Sequence, residues 1–158
     1  MYSDVFYGKR ILITGDTGFK GSWLSIWLNK LGARVYGYGL PTVTIKDNYS
    51  ICNLSNIVDH SNNDIRDYNS LIKVFKKIKP EIVFHLAAQP LVLRSYVDPI
   101  ETFSTNIMGV VNILECVRLT SSVKVVLNIT SDKCYKNNEW HWGYRENDAL
   151  GGHDPYSA

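Results

Sequence analysis

Only three cysteines occur in the 158 residues, Cys52, Cys116 and Cys134. Their odd number and irregular spacing fit neither a disulfide framework nor a zinc site, so a reduced, cytoplasmic setting is expected. The four histidines do not supply metal-ligand spacing either, and no metal is expected. Charge of one sign is in short supply: 17 Lys and Arg face 15 Asp and Glu, for a net charge of +2. That balance argues against a nucleic-acid partner, and Lys73, Lys76, Lys77 and Lys79 read as the wet face of a helix. No apolar stretch approaches the roughly 20 residues that span a bilayer, the first residues do not form a signal peptide, and no repeat recurs. No membrane partner is expected. What remains is ordinary for a globular chain, 45% hydrophobic and 20% charged, with material for one core.

Period and punctuation then order the elements. Arg10 to Thr14 is a short apolar run ending at Gly15, the pattern of a strand buried on both faces. Between Lys20 and Leu31 the period becomes helical, with Trp23, Leu24, Trp27, Leu28 and Leu31 on one stripe and Gly32 as the stop. Strands are expected again at 33–38, with Gly37 inside, weakly at 57–61, then at 81–85 and 123–129. A short helix is expected near 49–54. Asp67 reads as the cap of a helix to Ile78 with Leu71, Val74, Phe75 and Ile78 inward. Asp98-Pro99 opens another helix to Leu119, with Ile107, Val110, Val111, Leu114 and Val117 inward. Strand and helix alternate through five strands, which predicts an α/β fold: a Rossmann-type doubly wound parallel sheet with helices on both faces. Ligands bind such sheets at the carboxyl ends of the strands.

The chain places its unusual residues there. Gly15-Asp16-Thr17-Gly18-Phe19-Lys20-Gly21 lies between a strand and a helix. In that context the glycines serve a tight turn, close approach of backbone to a pyrophosphate, and close helix–strand packing. The helix N-terminus adds free N–H groups. His85 reads as a strand-end histidine.

Thr14-Gly15-x-x-Gly18-x-x-Gly21 resembles the glycine motif of the extended short-chain dehydrogenase/reductase superfamily. Through that resemblance Gly15, Thr17, Gly18, Phe19, Lys20 and Gly21 are expected to hold the dinucleotide. Asp64 and Ile65 would meet the adenine. Leu86, Ala87, Ala88 and Gln89 would pass along the cofactor, with Thr105, Thr130 and Tyr156 completing the contacts and Asn106 bracing the nicotinamide end. The usual ribose acid after the second strand is Gly39 here, and no arginine replaces it. NAD is implied by the resemblance, while this position leaves NAD or NADP open.

Ser131 and Tyr156, 156 − 131 = 25 residues apart, resemble the superfamily's catalytic hydroxyl pair. Its tyrosine belongs to Tyr-x-x-x-Lys, and that lysine would fall at position 160, beyond Ala158. Thr130-Ser131-Asp132-Lys133 resembles the CDP-glucose 4,6-dehydratase family. So do residues 17–24, 85–90, Glu139-Trp140, Trp142-Gly143-Tyr144-Arg145-Glu146, Gly151-Gly152 and Asp154-Pro155-Tyr156-Ser157. Asp16 departs from the histidine often found there, with little expected consequence for the phosphate cradle.

The resemblance implies a lyase that converts CDP-D-glucose to CDP-4-keto-6-deoxy-D-glucose for surface polysaccharide. Tyr156 would act as base, Ser131 as hydroxyl orienter and Asp132 as acid at the 6-hydroxyl. Lys133 would be a base at C5 if neutral, or an electrostatic aid. The implied partners are CDP-glucose or a related sugar nucleotide and further copies of the chain, as a dimer or tetramer. Residues 1–158 are expected to be an incomplete NAD-binding domain, inactive alone, with the sugar-nucleotide-binding part beyond. An NAD-dependent sugar-nucleotide epimerase, which would not need Asp132, and a non-catalytic dinucleotide-binding module stay as alternatives.

Overall fold

Four apolar or mixed runs and one polar run form a parallel sheet in a computed structural model that describes residues 3–158. The strands are β1 (Arg10–Thr14), β2 (Arg34–Gly39), β3 (Asp59–Asn62), β4 (Ile82–His85) and β5 (Val125–Asn128). Their order across the sheet is β3-β2-β1-β4-β5. Between them run α1 (Ser3–Phe6), α2 (Phe19–Lys30), α3 (Asn48–Ile51), α4 (Tyr68–Ile78), α5 (Val92–Val97), α6 (Pro99–Phe103) and α7 (Gly109–Arg118). The doubly wound order predicted from the alternation is the order observed. The short helices α1 and α5 were not anticipated.

Side-chain alternation along the strands feeds two cores. Ile11, Ile13, Val35 and Ile82 pack with Leu28, Tyr49 and Leu54 on the face of α2 and α3. Leu12, Tyr38 and Val83 pack with Leu71, Phe75, Ile113 and Cys116 on the face of α4 and α7. Each large side chain fully removed from water, such as Phe75, stabilises the fold by roughly 1.5–3 kcal/mol. Asp67 caps α4 as expected, its carboxylate accepting from Ser70 N–H at 3.1 Å. Among the described residues no helix is long and apolar enough to cross a membrane.

Two predicted stripes are corrected. In α2 the buried residues are Gly21, Ser22, Ser25 and Leu28, while Trp23 and Trp27 are 53% and 64% exposed. The helix crosses the glycine loop so closely that only small side chains fit beneath it. A Cβ on Gly21 would lie 2.1 Å from the Gly15 carbonyl oxygen. The helix expected from 98 to 119 is interrupted by a wide, π-type turn over Ser104–Met108. One extra residue in a turn rotates the succeeding helix by about 100°. The inward face of α7 is accordingly Gly109, Asn112, Ile113 and Cys116, and Ile107, Val111 and Leu114 are about half exposed.

The contact beneath α2 makes a test. Gly21→Ala drives a methyl group into backbone and should cost about 1–3 kcal/mol. For a chain of this size each kcal/mol lowers the melting temperature by roughly 2–4 °C. Gly143→Ala, where a Cβ meets nothing within 4 Å, is the control, expected to melt with the parent in a circular-dichroism scan. Equal melting of both variants would show that the helix can lift without penalty.

Candidate functional site

The sheet's carboxyl edge collects the residues singled out in the sequence. Gly15 leaves β1 with φ +72°, the left-handed conformation that glycine adopts without penalty. Its N–H donates to Tyr38 O at 2.9 Å, and Gly18 N–H donates back to Gly15 O at 3.1 Å. On the other side a Cβ at Gly15 would stand 2.8 Å from Ala87 N. The turn is therefore clamped between the ends of β2 and β4. Thr17 closes it, its hydroxyl donating to Leu40 O at 2.9 Å. Phe19 and Lys20 are exposed at the first turn of α2.

Thr14 joins β1 to β4 through one oxygen. Its Oγ1 accepts from Leu86 N–H at 3.2 Å and Ala87 N–H at 3.1 Å, and lies 2.6 Å from His85 Nδ1. With both acceptor positions filled, the hydroxyl donates to His85 Nδ1. The ring is then neutral with its proton on Nε2. Burial lowers the His85 pKa to about 4 in keeping with that role. Gln89 is buried and its amide is committed to Leu91 and Thr102, at 2.7–3.1 Å. Asn106 brackets its backbone, accepting from Gln89 N–H at 2.8 Å and donating to Gln89 O at 3.1 Å. The brace expected of Asn106 is thus a clamp on the loop after β4, set in the π-type turn that also carries Thr105.

After β3, Asp64 is half-exposed and pairs with Arg66, whose guanidinium holds the carboxyl below its ordinary range. Ile65 is buried, and a Cβ on Gly109 would come within 3.1 Å of its side chain. Its side chain belongs to the α7 interface. The Ile65 and Arg66 carbonyls are held by Asn112 Nδ2 at 3.0 and 3.2 Å.

Beyond β5, Thr130 is exposed and Ser131 Oγ accepts from Lys133 N–H at 3.1 Å, capping a short turn over Asp132–Cys134. Asp132 and Lys133 face water. Tyr156 lies in a second turn tied by Asp154, whose carboxylate accepts from Tyr156 N–H at 2.9 Å and Ser157 Oγ at 2.7 Å. Among the described residues no hydrogen bond joins the Ser131 and Tyr156 hydroxyls. The chain between them folds back through a bridge between Tyr135 and Leu150. Tyr135 stacks on Tyr144 there at 5.2 Å, with Trp140 beside Tyr144.

One pair escaped the sequence reading. Asp16 is fully buried, and its Oδ2 lies 2.8 Å from His60 Nδ1 on β3. A Cβ on Gly37, the register partner of His60, would lie 2.0 Å from the same oxygen. A glycine inside a strand signals the close approach of another group, and Gly37 was the available clue.

The family described as GDP-mannose 4,6 dehydratase matches residues 12–158. The chain is 55% identical over 150 residues to CDP-glucose 4,6-dehydratase of Salmonella typhimurium, covering 95% of this chain and 42% of that protein. It is 30% identical over 166 residues to CDP-paratose 2-epimerase of Salmonella typhi, covering 94% and 49%. The chain thus spans less than half the length of these relatives. Among solved structures, epimerase Mth375 of Methanothermobacter thermautotrophicus superposes with a TM-score of 0.83 at 27% identity, covering 98% of this chain and 45% of that one. UDP-glucose 4-epimerase of Thermus thermophilus in complex with NAD gives 0.77 at 27%, covering 94% and 46%.

His85 supplies the pH test of this edge. It remains neutral in the fold down to about pH 4, whereas in the unfolded chain it gains a proton near 6.5. Between these values the unfolded state binds more protons, so the contribution is full above about pH 6.5 and is lost as pH falls toward 4. At pH 5 that loss is about 2 kcal/mol. Urea unfolding at pH 7 and pH 5 should show the parent losing that much more than His85→Gln, which cannot titrate there. Equal losses would contradict a neutral, buried His85.

Proposed function

The chain belongs to the GDP-mannose 4,6 dehydratase family, and from that membership we propose that it is the NAD-binding domain of a sugar-nucleotide 4,6-dehydratase acting on CDP-D-glucose. The observation that carries this reading is the 55% identity to a CDP-glucose 4,6-dehydratase, combined with an acid, Asp132, in the turn that directly follows β5. The NAD reading is supported by the clamped glycine turn and by the NAD complex of the Thermus epimerase.

In this reading Gly15, Thr17 and Gly18 shape the turn, and Phe19, Lys20 and Gly21 in the first turn of α2 offer backbone N–H groups to the pyrophosphate. Asp64 and Ile65 border the adenine, Ile65 through its backbone. Leu86, Ala87, Ala88, Gln89, Thr105 and Thr130 line the path toward the nicotinamide. Bound NAD would supply a reversible hydride store, loaded from C4 and returned to C6 after water has left, which is the cofactor's own chemistry. The protein moves the protons. Tyr156 takes the proton of the hexose 4-hydroxyl, and Ser131 orients that hydroxyl. Once C4 is a ketone the C5 proton is acidified, and Asp132 delivers a proton to the departing 6-hydroxyl so that water leaves. Lys133 acts beside it, as base or as electrostatic support for the enolate. The substrate-binding part, assembly into a homo-oligomer, a cytoplasmic location and a role in surface-polysaccharide synthesis belong to the same proposal.

The epimerase reading is favoured by the epimerase structures that superpose on the chain. Asp132 separates the two. In a gene product extended to the length of its relatives, CDP-glucose should yield a 4-keto-6-deoxy sugar nucleotide. Asp132→Asn should still reduce NAD transiently while product release falls by roughly the 10²–10⁴-fold expected of a lost general acid. A product that is a C4 epimer, or equal loss of both steps, would remove the dehydratase assignment of Asp132.

A further inference from the structure

β2 ends in Gly39, at the position where dinucleotide sites of this architecture carry an acid for the ribose hydroxyls. The first cation beyond it is Lys46. A carboxylate is nevertheless present in that space. Asp16 comes from the glycine turn and lies against the face of β2 that Gly37 and Gly39 share. A Cβ on Gly37 would meet its Oδ2 at 2.0 Å, and a Cβ on Gly39 would stand 3.6 Å from its Oδ1. The two glycines leave the room that the carboxylate fills.

Its oxygens are unequal. Oδ2 is taken by His60 Nδ1 at 2.8 Å. Oδ1 is buried with no hydrogen-bond partner, although Asp16 is 0% exposed. A carboxylate oxygen left unpaired in the interior is costly, so its retention beneath the end of β2 calls for a role. The Tyr49 ring lies 5.8 Å from the imidazole, whose Nε2 is also buried without a partner. The unpaired Oδ1 is the oxygen that faces Gly39.

We propose that Asp16 determines dinucleotide specificity: its carboxylate, delivered from the glycine turn instead of β2, admits a free ribose 2′-hydroxyl and repels a 2′-phosphate. Because Asp16 is buried it acts through its field, which salt and water screen poorly in the interior. The effect therefore falls on the phosphorylated cofactor and leaves the unphosphorylated one nearly untouched. The inference rests on the reading of this edge as an NAD site.

The test is calorimetric titration of the gene product extended to the length of its relatives, with NAD and with NADP. The parent should favour NAD. Asp16→Asn should tighten NADP by about tenfold, equivalent to about 1.4 kcal/mol, with NAD nearly unchanged. Adding Gly39→Asp to that variant restores an acid at the usual place and should restore the preference. If Asp16→Asn does not fold, the double variant Asp16→Asn with His60→Gln keeps an uncharged hydrogen-bonded pair and takes the same titration. A folded variant that binds NAD as the parent does and discriminates against NADP by the same ratio overturns the assignment. A parent chain that takes up neither dinucleotide overturns the cofactor reading, and the assignment with it.

Discussion

Gly15 is where three stretches of backbone come into contact, and the carboxyl edge of the sheet is organised around that crowding. Its N–H is held by β2, its carbonyl lies under Gly21 of α2, and its Cα faces Ala87 after β4. Space at this point is scarcer than hydrophobic surface. The part of α2 over the turn is therefore buried through Gly21, Ser22 and Ser25, with Leu28 reaching the core further along, and its tryptophans face outward. Close approach brings backbone N–H groups to one spot, which is the arrangement that binds anions.

Polar groups pinned at this edge are paired, except for Asp16 Oδ1 and His60 Nε2. Thr14 uses all the capacity of its hydroxyl to tie β1 to the loop after β4. Asn106 takes both the N–H and the carbonyl of Gln89, and Asn112 takes two carbonyls after β3. These bonds fix loops that would otherwise be the mobile parts of the fold. Asp16 Oδ1 stands apart from that accounting.

The fold was legible because its signals are local. Apolar runs of four to six residues, the glycine turn after β1, Asp67 before α4 and Asp98-Pro99 before α6 each act within a few residues. The faces of α2 and α7 were not legible, for two physical reasons. In α2, steric room overrides hydrophobicity, so Trp23 and Trp27 mislead. In α7, one added residue in the preceding turn shifts the buried stripe to Gly109, Ile113 and Cys116 and turns Ile107, Val111 and Leu114 outward, while Val117 still packs against the core. Of the site, the glycine turn and the strand-end residues could be read directly. The Asp16–His60 pair could not, since 44 residues separate its members and only their register across β2 brings them together. Ile65, expected beside the adenine, has its side chain in the core, and nothing in its own segment reveals Gly109.

The strand order also sets a schedule. β1 pairs with β2 at Ile11 and Val35, close along the chain, but its other partner arrives only with Ile82, 71 residues after Ile11. At about 5–20 residues per second, a ribosome needs roughly 4–14 seconds to supply those residues. For that interval one edge of Ile11, Leu12 and Ile13 stays unpaired beside the growing chain. Anything able to add a strand, a chaperone or a neighbouring nascent copy, competes with β4 for the centre of the sheet.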